Sequence, residues 1–217
     1  MKKMHIVGAG GFGRELHSWA LRHPAHGRDW RFAGFLDDNP DALKEYGRFA
    51  PVTGLRGHLP GPDCVYLCGL GLPAVKARLT EPLLKAGAEF ISLIHESVML
   101  GERIRLGRGV ILCPGAVLTC DITLGDFVTI NLNTTIGHDV TVGDWTTVSS
   151  QCDLTGRVKV AEGVLIGSKA SVIQGRNIGA GALVGVGAVV VRDVPPGVTV
   201  VGNPAATLKV AGPVAAS

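Results

Sequence analysis

The chain has 217 residues, enough for one large domain or two small ones with a buried core in each. Its 46% hydrophobic and 18% charged residues are those of a globular protein, and a net charge of +3 is too small and too scattered to argue for nucleic acid or an acidic membrane as partner. Frequent Gly (31) and scarce aromatics (5%) predict many tight corners and thin repeating layers. The longest apolar run, 182–191, is about half a membrane span and is broken by glycines. Cys64, Cys68, Cys113, Cys120 and Cys152 are odd in number and lack metal-ligand spacing, so they read as reduced thiols. With no leader segment before the first strand, a cytoplasmic protein is expected.

In chain order, Met4 to Val7 reads as a short apolar strand, followed by the loop Gly8-Ala9-Gly10-Gly11-Phe12-Gly13. Phe12, Leu16, Trp19 and Ala20 then fall on one face of a helix that stops at Pro24. Trp30 to Leu36 predicts a second strand, ended by the turn Asp37-Asp38-Asn39-Pro40. Cys64 to Cys68 predicts a buried third strand with its thiols as small apolar fillers. From Pro73 to Ala86, Val75, Leu79 and Leu83 line up on a helix that Pro82 must kink or split. Phe90 to Ile94 reads as a fourth strand leading to His95. This alternation predicts a small parallel sheet with a ligand crevice at the carboxyl ends of its strands. Gly8, Gly10 and Gly13 have the GxGxxG spacing, which brings a phosphate to N–H groups at a helix N-terminus or serves only as a tight turn. Asp37 and Asp38 fall where a ribose or base would be held. Only one half of a dinucleotide-binding domain is present, which favours a mononucleotide-headed ligand over NAD.

From Val98 to Asp193 the chain repeats every sixth residue without an insertion. The third position of each hexad runs from Leu100 and Leu106 to Val184 and Val190, and all sixteen are Leu, Ile or Val. The fourth is often Gly (Gly101, Gly107, Gly125, Gly137, Gly143, Gly167, Gly179, Gly185), where a corner needs φ > 0 or no side chain in the way. The first is mostly small or β-branched, as at Val110, Thr134, Cys152 and Ala170, and fits the narrow angle of a corner. Three six-residue sides make one triangular coil, so the repeat predicts a parallel β-helix of about five coils, a prism about 25 Å long. Such a prism has no other hydrophobic layer to pack against, and its flat faces tend to associate. Of seven histidines only His138 lies in the repeat; two places after the inward Ile136, it points outward at a corner. It is either a solvated surface histidine or a base, a role for which imidazole is suited near neutral pH.

GAGGFGRE at 8–15, FLDD at 35–38, Gly69-Leu70-Gly71-Leu72-Pro73, LIH at 93–95 and hexapeptide repeats closing with Val201-Gly202-Asn203-Pro204-Ala205 occur in this order. Together they resemble a bacterial sugar O-/N-acetyltransferase family with hexapeptide repeats, comprising sialic-acid O-acetyltransferase-like and nucleotide-aminosugar N-acetyltransferase proteins. The resemblance covers residue 4 to about residue 208. It implies an α/β Rossmann-like half-domain over 1–95 that holds a sugar nucleotide, and an all-β left-handed parallel β-helix over 96–208. Residues 209–217 read as a flexible tail. It further implies a homotrimer, with acetyl-CoA as co-substrate in the groove between neighbouring prisms and no metal. Carried over by position, the sugar-nucleotide contacts are Gly10, Gly11, Phe12, Asp37, Asp38 and Gly71. The catalytic pair falls on His138 and Asp139, and the CoA contacts fall near Thr147, Gly156, Ser168 and Val186. Two positions depart from the pattern: Thr147 stands where relatives often carry histidine, and Ala206-Thr207 replaces the usual basic residue, with Lys209 close by.

The activity so implied is acetyl transfer to the amino group of a nucleotide-linked aminosugar, in surface-polysaccharide or glycan-precursor biosynthesis, with His138 as general base. O-acetylation of a sialic-acid-type or other sugar hydroxyl is the alternative within the family. A non-catalytic nucleotide-sugar-binding assembly protein and an NAD-dependent reductase are alternatives of other classes. A zinc-dependent β-helix enzyme would need three histidines per site, and the repeat has one.

Overall fold

A computed structural model describes residues 1–208; the tail expected at 209–217, including Lys209, lies outside the described residues. The N-terminal part contains β1 (Lys2–Val7), α1 (Gly11–Ala20), β2 (Trp30–Leu36), β3 (Val52–Thr53), β4 (Cys64–Cys68) and α2 (Pro73–Lys85). The four strands are parallel in the order β3-β2-β1-β4. Met4, Ile6 and Val7 are buried on both faces of the central β1, as befits a parallel strand covered on each side. The edge strand β3 has only two residues and no periodic pattern, and the sequence does not announce it. Among the described residues no helix is long and apolar enough to cross a membrane.

Two expectations are corrected. Pro82 does not split α2, which runs unbroken to Lys85 because the proline falls in the last turn, where little helix remains to disrupt. Phe90 to Ile94 is not a fourth strand of the N-terminal sheet. Phe90 makes one bridge to Tyr66, and Leu93–Ile94 instead pairs with Ile111–Leu112, so the chain passes directly into the repeat.

The repeat is a parallel solenoid of two-residue strands, one per hexad, forming three faces. Arg105–Leu106 through Asn177–Ile178 form the first face, Leu93–Ile94 through Thr199–Val201 the second, and Met99–Leu100 through Val189–Val190 the third. The third hexad position fills the interior: Leu118, Ile130, Ile136, Leu154, Ile166 and Val172 are all fully buried. The first position is buried beside it, as at Val110, Ala116, Val140 and Ala170. Each buried Leu, Ile or Val side chain stabilises the prism by roughly 1.5–3 kcal/mol.

The corners resolve the question left by the fourth-position glycines. Left-handed backbone occurs at the sixth position instead, for example at Asp139 (φ 60), Arg157 (φ 61) and Lys169 (φ 62). The fourth-position glycines are required by proximity: a Cβ on Gly167 would lie 2.7 Å from the backbone N of Val186, one coil on.

The prism also has a layer to pack against, contrary to expectation. Leu16 and Ala20 of α1 share a core with Leu93, Ile111 and Cys113, so the N-terminal part covers the second face. From α2, the fully buried Lys76 donates from Nζ to the carbonyls of Phe127 (2.8 Å) and Thr146 (3.1 Å) and to Thr129 Oγ1 (3.2 Å). Its three protons are matched by three acceptors, but burial without a carboxylate partner pushes its pKa down to about 8.

Candidate active site

His138 follows the third-face strand Thr135–Ile136 and sits at the corner leading to the first-face strand Thr141–Val142. As expected it points outward; its side chain is 48% exposed. Its Nδ1 lies 2.8 Å from Asp139 Oδ2. A carboxylate only accepts, so Nδ1–H donates and Nε2 carries the free lone pair. The left-handed backbone of Asp139, a conformation that Asp tolerates, turns this carboxylate back toward the ring of its own neighbour. Arg157 Nε stands 3.9 Å from the same Oδ2.

The coils on either side complete this corner. One coil earlier, Asp121 is held by Arg103 of the coil before that, through Nε–Oδ1 (2.6 Å) and a second bond to Oδ2 (2.9 Å), which keeps the Asp121 carboxyl below its ordinary range. Cys120 has its thiol pushed up by desolvation and by Asp121. One coil later comes the buried Gly156, against which the His138 ring lies.

The other expected residues fall into three further places. Gly11, Phe12, Gly71 and Thr147 line one groove of about 450 Å³ between the glycine loop and the second face. Thr147 Oγ1 donates to the Gly71 carbonyl at 2.7 Å, so it joins the two parts of the chain. Gly10 caps α1 and is exposed, leaving first-turn N–H groups without helical partners and open to an anion. Gly13 has a packing role, since a Cβ there would lie within 3.0 Å of the Gly8 carbonyl carbon. The Asp37 carboxylate accepts from the N–H groups of Ala9 and Asn39, each at 2.9 Å, and thereby braces the glycine loop. Asp38 accepts from the Arg56 N–H at 2.7 Å and lines a separate cavity of about 410 Å³ with Arg56, His58 and Arg78. Ser168 and the 74%-exposed Val186 lie at the corner between the second and third faces.

Sequence reasoning missed Glu15, Asn131 and Ser149, which also line the 450 Å³ groove. Asn131 and Ser149 each follow a second-face strand, so their spacing of one coil was the available signal. Glu15 lay in the quoted glycine-loop motif without a role. One separation governs everything else. His138 occupies the corner between the first and third faces, whereas the groove lies on the second, so a single chain does not bring them together. Among the described residues no group of three or more His, Cys, Asp or Glu is placed to hold a metal ion.

No protein-family model matches the chain. A UDP-N-acetylbacillosamine N-acetyltransferase of Bacillus subtilis (strain 168) is 35% identical over 118 residues, 52% of this chain and 51% of that protein. The chain therefore matches about half the length of this curated relative. The acetyltransferase domain of PglB from Neisseria gonorrhoeae FA1090 superposes with a TM-score of 0.85 at 28% identity, covering 96% of this chain and 100% of that one. PerB from Caulobacter crescentus, solved with CoA and GDP-perosamine, gives a TM-score of 0.83 at 29% identity, covering 96% and 98%. The likeness read from the glycine loop and the hexapeptide repeats thus extends through the fold, which over nearly its whole length is similar to that of sugar N-acetyltransferases.

Proposed function

We propose that this protein transfers an acetyl group from acetyl-CoA to the amino group of a nucleotide-linked aminosugar, with His138 as general base. The observation that carries this reading is the His138–Asp139 pair: a 2.8 Å bond at Nδ1 with the base nitrogen Nε2 on an exposed corner. The amine nitrogen attacks the thioester carbonyl carbon, forming the C–N bond as the C–S bond breaks. The proton lost by the amine passes to Nε2 and then to the departing CoA sulfur. Asp139 fixes the ring and stabilises its charged form, the part that a triad carboxylate plays without a nucleophilic serine here.

The relatives' ligands support the choice of substrates: PerB was solved with CoA and GDP-perosamine, and PglB with acetyl coenzyme A. In this reading residues 1–95 form a Rossmann-like half-domain and residues 96–208 a left-handed β-helix. The nucleotide diphosphate takes the N–H groups at Gly10, Gly11 and Phe12, with Asp37, Asp38 and Gly71 around it. The donor lies along Gly156 of one prism and Ser168 and Val186 of its neighbour, and Thr147 closes the acceptor groove. Because one chain holds His138 and the groove apart, the working unit is a cytoplasmic homotrimer in which neighbouring copies complete each site.

The test is acetyl-CoA-dependent thiol release across a panel of nucleotide-linked amino and neutral sugars. Release with a nucleotide-linked aminosugar, and not with its hydroxyl counterpart, is the expected result. Release only with hydroxyl acceptors would move the reaction to O-acetylation. Sugar-nucleotide binding without any release would make the protein a binding module.

A further inference from the structure

The bare Cα of Gly156 is part of what aims the proposed base. The three atoms nearest a Cβ built at this position all belong to the His138 ring: it would lie 2.6 Å from Cε1, 3.0 Å from Cδ2 and nearer still to Nε2. Real Cβ atoms do not approach that closely, so any side chain at 156 must displace the imidazole or be displaced by it. Most fourth-position glycines differ, because added atoms there strike fixed backbone of the next coil, as at Gly143 against Glu162 N (2.5 Å). At Gly156 the obstacle is the free end of a side chain, which can rotate away at small cost to the fold. The rest of the pair is pinned. Arg157 N–H donates to the His138 carbonyl at 2.8 Å, and Asp139 N–H donates to the Cys120 carbonyl at 3.2 Å.

Resting on the reading of His138 as the base, we infer that Gly156 is a positioning residue. Its missing side chain forms the seat that holds the imidazole against the next coil with Nδ1 on Asp139 and Nε2 facing the acceptor. A contact made by Gly156 with the acyl donor would draw on its backbone, which substitution by Ala retains. The seat draws on the absence of a Cβ, which the same substitution removes. A displacement of the base by about 1 Å suffices to lower turnover about a hundred-fold.

The experiment is a double-mutant cycle on the full chain with Gly156→Ala, His138→Ala and the pair, measuring kcat and KM for acetyl-CoA with an accepted aminosugar nucleotide. Gly156→Ala is expected to fold, keep its oligomeric mass, lose roughly ten- to a hundred-fold in kcat and hold KM for acetyl-CoA within about two-fold. In the His138→Ala background the same change is expected to cost nothing further, because the ring it displaces is gone. Full kcat in Gly156→Ala would overturn the seat while leaving His138 as base. A rise in KM alone, or an equal loss of kcat with and without His138, would overturn it in favour of a direct donor contact. Wild-type turnover in His138→Ala would instead overturn the reading on which it rests. If Gly156→Ala fails to fold, the pair, in which the ring no longer opposes the Cβ, is expected to fold. A pair that also fails would show that the glycine serves the coil and not the base.

Discussion

At the scale of single residues, the hexad frame separated His138 from six other histidines, because a register with Ile136 inward leaves position 138 at a corner. Its bond to Asp139 was implied by adjacency in a family motif; in the fold it goes with a left-handed backbone, φ 60, at Asp139, whose carboxylate meets the ring edge at Nδ1. Asp139→Asn keeps the shape and can present the ring with a donor, undoing the tautomer that leaves Nε2 free. It is expected to lower kcat by roughly ten- to a hundred-fold with little change in KM, as steady-state kinetics would show. Unchanged kcat would remove Asp139 from the mechanism. The bracing role of Asp37 was not legible, since nothing in its sequence neighbourhood tells a carboxylate that binds a ribose from one that bonds Ala9 N–H.

At the scale of elements, periodicity located the prism strands because each hexad carries its own inward Leu, Ile or Val. The corners were less legible, since glycine is used there for two different reasons. Those reasons predict opposite outcomes at neighbouring positions. Gly167→Ala places a Cβ 2.7 Å from Val186 N and is expected to destabilise by about 1–3 kcal/mol. Lys169→Gly relieves a left-handed residue at φ 62 and is expected to be neutral or stabilising by up to about 1 kcal/mol. Denaturant midpoints of the two variants check this; equal effects would refute the assignment of proximity to one glycine class and conformation to the other. The edge strand β3 and the split of Phe90 to Ile94 escaped the sequence because pairing partners far along the chain, not local pattern, define such short strands.

At the scale of the whole molecule, the N-terminal part and the solenoid are held together across the second face, with Lys76 buried in the joint. No periodicity marks such a lysine, which sits on a helix among ordinary polar residues. Its folded-state pKa, lowered by burial to about 8 from 10.5, makes stability pH-dependent. Below about pH 8 both folded and unfolded forms hold the proton, and the burial cost, roughly 3 kcal/mol, is fully present. Between pH 8 and 10.5 the folded protein sheds the proton first, so this group's contribution to stability rises with pH. Burial raises the thiol pKa of Cys68 and Cys152 and opposes this above about pH 9, so the comparison is made against Lys76→Met. The stability of wild type relative to that variant is expected to improve between about pH 7.5 and pH 10.5 in denaturant titrations. A constant difference would show that Lys76 does not titrate in the folded protein.

The same scale carries the functional account, because His138 and the groove lie on different faces of one chain and the proposed site joins them between copies. The most direct test of that account is turnover by His138→Ala with acetyl-CoA and an accepted nucleotide-linked aminosugar, alongside its oligomeric mass. The account predicts a folded assembly of wild-type mass with kcat lowered by about 10²–10⁴-fold. Wild-type turnover in that assembly would contradict it.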